Sequence, residues 1–135
     1  MEYTIIIRLI LSVFLAGLVG WQRERAHTPA GLRTHMLVAL GATIFTLIAS
    51  ELGILVGIDT TRITAGIVTG IGFLGAGTII QYQDSIRGLS TAASIWTIAA
   101  IGMAVGYGMY MLSIVGAVLT LLILLLEGFE KKLIK

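Results

Sequence analysis

Ten polar residues capable of chemistry lie in two short segments: Gln22, Arg23, Glu24, Arg25, Arg33 and His35 in the first, Asp84, Arg87, Ser90 and Thr91 in the second. Carboxylates and arginines in this pattern suit a structured network, with Glu24 or Asp84 held by arginines of the other segment, since guanidinium binds carboxylate bidentately. The alternative is a solvated collar whose arginines attract anionic lipid headgroups. Ser90 and Thr91 are expected to cap a following helix through their side-chain oxygens. His27 and His35 stand eight apart with no cysteine and no acid at ligand spacing, so a zinc site is not expected. No nucleophile–base constellation is present either, and the expectation is a protein that is not an enzyme and needs no cofactor.

A second group of residues is structural in type. Gly66, Gly70, Gly72, Gly75 and Gly77 crowd a stretch of 21 uncharged residues between Arg62 and Asp84. Glycine costs a soluble helix about 1 kcal/mol per position, whereas in a membrane it lets helix backbones approach closely. Gly70-Ile-Gly72-Phe-Leu-Gly75 fits the dinucleotide fingerprint, but that motif works only between a strand and a helix of a soluble βαβ unit. The glycines are therefore read as a helix-packing surface. The alternative is an unwound segment over Gly72 to Gly77, exposing backbone groups to a ligand as discontinuous transporter helices do.

The elements that must position these residues are membrane spans. Of the 135 residues 57% are hydrophobic and 12% charged, with a mean hydropathy of +1.01; a soluble domain carries about 25% charge. Charges divide the chain into apolar blocks over about 3–20, 34–50 and 63–82, and then one of 39 uncharged residues from Gly88 to Leu126. As a single helix that last block would be about 58 Å long, against a hydrocarbon core of about 30 Å. Gly106-Tyr107-Gly108 supplies a turn within it, giving spans over 89–105 and 109–126. The expected fold is all-α: a five-helix polytopic bundle forming one domain over 1–135. Arg23, Arg25, Arg33, Arg87, Lys131, Lys132 and Lys135 fall on one side and Arg62 on the other, with Arg8 near its face. The positive-inside rule then places the N-terminus out and the C-terminus in. The first span is expected to stay uncleaved, because positive charge follows its apolar run. Arg8 is read as a snorkelling residue. Cysteine is absent, and no basic face free of lipid offers itself to nucleic acid.

Small residues at spacings of three and four mark helix contact faces in lipid. Ser12, Ala16 and Gly20 form one such stripe; Ala39, Ala42, Thr43, Thr46 and Ala49 a second; Gly66, Gly70 and Gly77 a third; Ala93, Thr97, Ala100 and Ala104 a fourth. The last span is mostly leucine, isoleucine and valine and is expected to face lipid. Such faces also serve between chains, so a homodimer is expected.

Taken in order, Gly20-Trp21-Gln22-Arg23-Glu24-Arg25, Ala30-Gly31-Leu32-Arg33-Thr34-His35, Gly70-Ile-Gly72-Phe-Leu-Gly75-Ala-Gly77 and Arg87-Gly-Leu-Ser-Thr-Ala-Ala93 resemble the MgtC/SapB family of bacterial inner-membrane proteins. The resemblance implies a multi-pass inner-membrane domain from a family tied to growth under magnesium limitation and, in pathogens, to survival inside macrophages. Some members resemble regulators of the membrane ATP synthase, which makes that enzyme an implied partner. Many relatives have an acid where Gln22 stands, which puts an ionic role at that position in doubt. Some also carry a soluble C-terminal domain, so the chain is expected to be a minimal transmembrane member. Two functions follow as expectations: a regulator acting through membrane-protein or self association, and a carrier of magnesium or another small ion. Magnesium normally meets one or more carboxylates, and none lies within a predicted span.

Overall fold

A computed structural model describes residues 2–57, 59–83 and 85–133, with side chains through Leu126 apart from Tyr82. Five helices appear in order: α1 Glu2–Arg25, α2 Leu32–Val56, α3 Thr60–Ala76, α4 Leu89–Gly106 and α5 Tyr110–Leu133. Between α3 and α4 stands a hairpin of β1 Ile80–Tyr82 and β2 Ser85–Arg87, paired antiparallel with Gln81 opposite Ile86. By length and composition α1, α2 and α4 are able to cross a membrane.

Helix α4 is the hub and packs against each of the other four. It is apolar around most of its circumference, burying Ile95, Ile98, Ala99, Ile101 and Val105, as a helix surrounded by others must. Two glycines let α2 approach it. A Cβ on Gly102 would lie 2.5 Å from the carbonyl oxygen of Ala39, and one on Gly106 would lie 2.7 Å from Thr46 Cβ. Thr43 Oγ1 lies 2.8 Å from Gly102 O across this contact and 2.8 Å from Ala39 O of its own helix, so its one hydrogen is shared between them. On the other side of α2, a Cβ on Gly20 of α1 would lie 2.8 Å from Leu32 Cα. The expected stripes on α1 and α2 are accordingly buried.

The stripe expected on α4 is buried only at Ala104. Ala93 and Ala100 are exposed and Thr97 half-buried, and the buried face runs mainly through Thr91, Ser94, Ile98 and Gly102. Because α4 is apolar nearly all round, small residues fall on more than one of its faces and do not single out the contact.

The turn within the long apolar block closes as a Schellman motif. Gly108 has φ +77°, its N–H donates to Val105 O at 2.9 Å, and Met109 N–H donates to Ala104 O at 2.8 Å. Glycine supplies the left-handed residue this ending requires. Arg8 reinforces it from α1: its Nη1 donates to Gly106 O at 2.8 Å and its Nε to Tyr110 Oη at 3.1 Å. The side chain read as snorkelling is thus a clamp joining the start of α1 to the end of α4, where it neutralises a helix C-terminus.

The third block differs most from expectation. Helix α3 begins earlier than 63 because Asp59 caps it, accepting from Thr61 N–H at 2.9 Å and Thr61 Oγ1–H at 2.6 Å. It ends at Ala76, well before 82, and the chain turns into the hairpin. Thr78 Oγ1 donates to Gly75 O at 2.8 Å, and Gly88, at φ +90°, lies so close to Thr78 O that no Cβ fits. The two bonds from Thr61 hold the Asp59 carboxyl below the usual carboxylate range. A depressed folded value means the cap is intact above the unfolded value and lost as pH falls through the folded one. Hydrogen exchange should therefore find the first turn of α3 protected at neutral pH and frayed well below about pH 4, and frayed at both in Asp59→Ala.

Candidate functional site at the α1–α2–α4 junction

The end of α1, the start of α2 and the start of α4 meet at one end of the bundle. Arg23, the last-turn arginine of α1, is 1% exposed; its Nη2 donates to Thr91 Oγ1 at 3.1 Å and to Ser90 Oγ at 3.3 Å. Both hydroxyls belong to the first turn of α4. The expected capping role is therefore overturned: the N-cap is Gly88, without a side-chain bond, and Ser90 and Thr91 accept from arginine instead. They reach it because α1 ends directly over that turn.

His35 is fully buried beside this contact. Its Nδ1 lies 2.8 Å from Gly31 O and its Nε2 3.0 Å from Ser94 Oγ, while Ser94 Oγ lies 2.8 Å from Thr91 O. Ser94 is the member that sequence reading missed. Its signal was present, since it lies three residues after Thr91 on the same helix face.

Glu24 takes a different role from the expected ion pair. Its Oε2 accepts from Leu32 N–H at 2.9 Å, so a carboxylate on α1 caps α2 from across the loop, where a negative charge is favourable. The carboxylate lies against Gly31, so a side chain there would have to push it off the cap. Thr28 Oγ1 lies within hydrogen-bond distance of both Arg23 O and Ala30 O, at 3.1 and 3.0 Å, and completes the loop. Gln22 faces α5, its Nε2 donating to Leu124 O at 3.3 Å, while its Oε1 is buried with no hydrogen-bond partner among the described residues. Arg25 stacks on the Trp21 ring at 5.2 Å. Arg33 and Arg87 are exposed at this same end, and Asp84 lies outside the described residues. Of the expected cluster, the structure joins Arg23, His35, Ser90 and Thr91, turns Glu24 to the cap of α2 and Gln22 to α5, and leaves Arg25, Arg33 and Arg87 exposed.

The glycines of α3 lie apart from this junction. The helix is continuous through Gly66, Gly70, Gly72 and Gly75, and Gly77 begins the turn, so residues 72–76 are not unwound. Nor do most of these glycines pack within the chain. A Cβ on Gly66, Gly70 or Gly72 would meet nothing within 4 Å, whereas one on Gly75 would meet Ala92 at 3.4 Å. Gly66 and Gly70, with Gly41 of α2, line an apolar groove of about 650 Å³ between α2 and α3, walled by Leu37, Phe45 and Leu74. Among the described residues no three His, Asp or Glu side chains converge as metal ligands would.

The MgtC family model matches residues 9–132. YhiD of Escherichia coli K12, provisionally named a magnesium transporter, is 48% identical over 126 residues, covering 88% of this chain and 58% of that protein. SrpB of Synechococcus elongatus is 35% identical over 136 residues, 92% of this chain and 74% of SrpB. MgtC of Brucella abortus is 47% identical over 100 residues, 73% of this chain and 40% of that protein. The chain thus spans little more than half of YhiD and less than half of Brucella MgtC. No solved structure matches it. The family match over nearly the whole chain, with three long apolar helices, makes this a membrane protein, and the chain belongs to the MgtC family.

Proposed function

We propose that the chain is a non-enzymatic, multi-pass protein of the bacterial inner membrane that acts by associating with a second copy or another membrane protein along the α2–α3 groove. The observation that carries this reading is the open face of α3. Glycines at 66 and 70 leave its backbone uncovered, and in lipid such a surface is stabilised by close packing with another helix. Five crossings agree with the alternating helix directions, in which Arg23 of α1 meets the start of α4 and Arg8 meets its end. Arg23, Arg25, Arg33 and Arg87 gather at one end, which the positive-inside rule assigns to the cytoplasm, with the N-terminus outside. A role in adaptation to low magnesium is what the family resemblance implies, and one relative, YhiD, bears a name that ties it to magnesium. The membrane ATP synthase is the partner that the family resemblance implies.

The relatives' names also favour a second reading, transport of magnesium or another small ion. Magnesium demands a near-octahedral oxygen shell, and the groove is walled by aliphatic and aromatic carbon. Two assays on one preparation separate the readings. The chain has no cysteine, so single cysteines placed at Thr69 or Phe73, both exposed on α3, report neighbours directly. Association predicts crosslinks from these sites in native membranes and no protein-dependent magnesium movement into liposomes. Magnesium flux without α3 crosslinks would establish the transport reading instead.

A further inference from the structure

A second groove, of about 550 Å³, runs along the bundle between α1 and α2. Val13, Phe14 and Leu18 wall it from α1, and Leu32, Met36 and Leu40 from α2. Gly17 keeps it open, since a Cβ there would touch only the side chains of Met36 and Leu32, at 3.9 and 4.0 Å. The groove is apolar along its length and meets charge where it reaches the end of the bundle at which α1 stops and α2 starts. On α1, Trp21 and Arg25 follow Gly17 at spacings of four and eight and so continue its face. Arg25 lies over the exposed Trp21 ring at 5.2 Å. On α2, Arg33 stands three residues before Met36, beside the groove, and its Cα–Cβ bond tilts toward the α2 N-terminus and hence toward the same end. The bond from Leu32 N–H to Glu24 ties together the residues immediately before the two arginines, which places both on one rim.

Charge decides what this rim accepts. Arg25 and Arg33 are exposed, and among the described residues neither meets a carboxylate. Glu24, the acid beside them, is committed to the start of α2, where the helix dipole offsets its charge. Arg23 turns inward to α4 and is not part of the rim. A cationic rim thus stands over an apolar trough, and Trp21 adds the amphipathic ring that favours headgroup depth in a bilayer. A free anion would satisfy the arginines and leave the trough uncovered; a neutral lipid would cover the trough and leave the arginines unmatched. An anionic phospholipid meets both, and basic sites between spans take such lipids.

We infer that the α1–α2 groove seats an anionic phospholipid, its phosphate on Arg25 and Arg33 and one acyl chain along Gly17. The site is independent of whether α3 binds a partner. The chain has two tryptophans, Trp21 and Trp96, so Trp96→Phe leaves Trp21 as the single reporter at the rim. That protein, in phosphatidylcholine vesicles, is titrated with brominated phosphatidylglycerol or with brominated phosphatidylcholine, each of which quenches a tryptophan it touches. Quenching should show Trp21 selecting the anionic lipid, and the selection should fall about fivefold with each of Arg25→Gln and Arg33→Gln. Gly17→Leu, which fills the groove, should weaken it as well. Arg87→Gln, which removes an exposed arginine at the same end but off the groove, should leave it unchanged. Equal quenching by the two lipids would overturn the inference, as would selection that persists in Arg25→Gln/Arg33→Gln or in Gly17→Leu. Selection that Arg87→Gln reduces as much as Arg33→Gln would show a diffuse collar instead of a seat, and a Trp21 shielded from both lipids would show a protein in the groove; either result overturns it too.

Discussion

Gly102→Leu should abolish the folded bundle, and Gly102→Ala should already destabilise it measurably. The reason is backbone contact. The first added carbon would stand 2.5 Å from Ala39 O and 3.0 Å from Ala39 Cα, and neither atom belongs to a side chain that can rotate away. Helices α2 and α4 would have to separate, breaking the Thr43 to Gly102 O bond and loosening the hub on which every other helix rests. Overpacking a tight core by a methyl or two costs about 1–3 kcal/mol. A leucine forced against a backbone exceeds that and approaches the whole stability of an ordinary domain, about 5–15 kcal/mol. Gly106→Ala should cost somewhat less, since the nearest atoms there, Thr46 Cβ at 2.7 Å and Thr43 O at 3.1 Å, lie a little farther off than Ala39 O does from Gly102. Thermal unfolding of the purified protein in mild detergent should rank the wild type above Gly106→Ala, then Gly102→Ala, with no cooperative transition for Gly102→Leu.

The second large effect is expected at Arg23. Arg23→Met keeps most of the side-chain length but removes the donors to Ser90 and Thr91, at a site that is 1% exposed. Buried polar contacts of this kind are asymmetric: removing one member strands the other. A loss of about 3 kcal/mol is expected, combining imperfect refilling with a stranded Thr91 hydroxyl. Arg23→Lys should recover part of it, restoring a charge but not the planar fork that spans two hydroxyls. Arg25→Met is the matched control, since Arg25 is exposed against Trp21 and surface changes are usually within about 0.5 kcal/mol. Equilibrium unfolding of the four proteins in one detergent checks the order. Equal stability of Arg23→Met and Arg25→Met would mean that the junction does not hold the bundle together.

How much of this was legible beforehand depended on whether a feature is local. The break within the long apolar block was, because glycine marks it: Gly106-Tyr107-Gly108 carries its own Schellman turn. Most of the junction was also legible, since alternating spans must bring Arg23 and His35 to the same end as Ser90 and Thr91. Their roles were not. Whether a serine caps its own helix or accepts from Arg23 depends on where α1 ends in space, and spacing does not encode that. The hairpin escaped because residues 63–82 lack charge throughout, and hydropathy does not distinguish a helix that continues from one that stops at Ala76. The glycines of α3 were read as an internal packing surface for the same reason. Composition says that a face is small, not what lies against it: a Cβ on Gly66, Gly70 or Gly72 would meet nothing within 4 Å, while Gly75 packs against Ala92.

That difference allows the central claim to be tested within one helix. In Gly66→Leu/Gly70→Leu each added Cβ has nothing within 4 Å, and the rest of the side chain extends into an open groove of about 650 Å³ walled by apolar Leu37, Phe45 and Leu74. Replacing two helical glycines should preserve or raise monomer stability, by about 1 kcal/mol per site. The same change fills the surface through which a partner helix would pack. Subunit counting by single-molecule fluorescence in native membrane vesicles, alongside thermal unfolding, gives both quantities. The account predicts association lost in Gly66→Leu/Gly70→Leu with the unfolding temperature unchanged or higher. Undiminished association with the groove filled would contradict it.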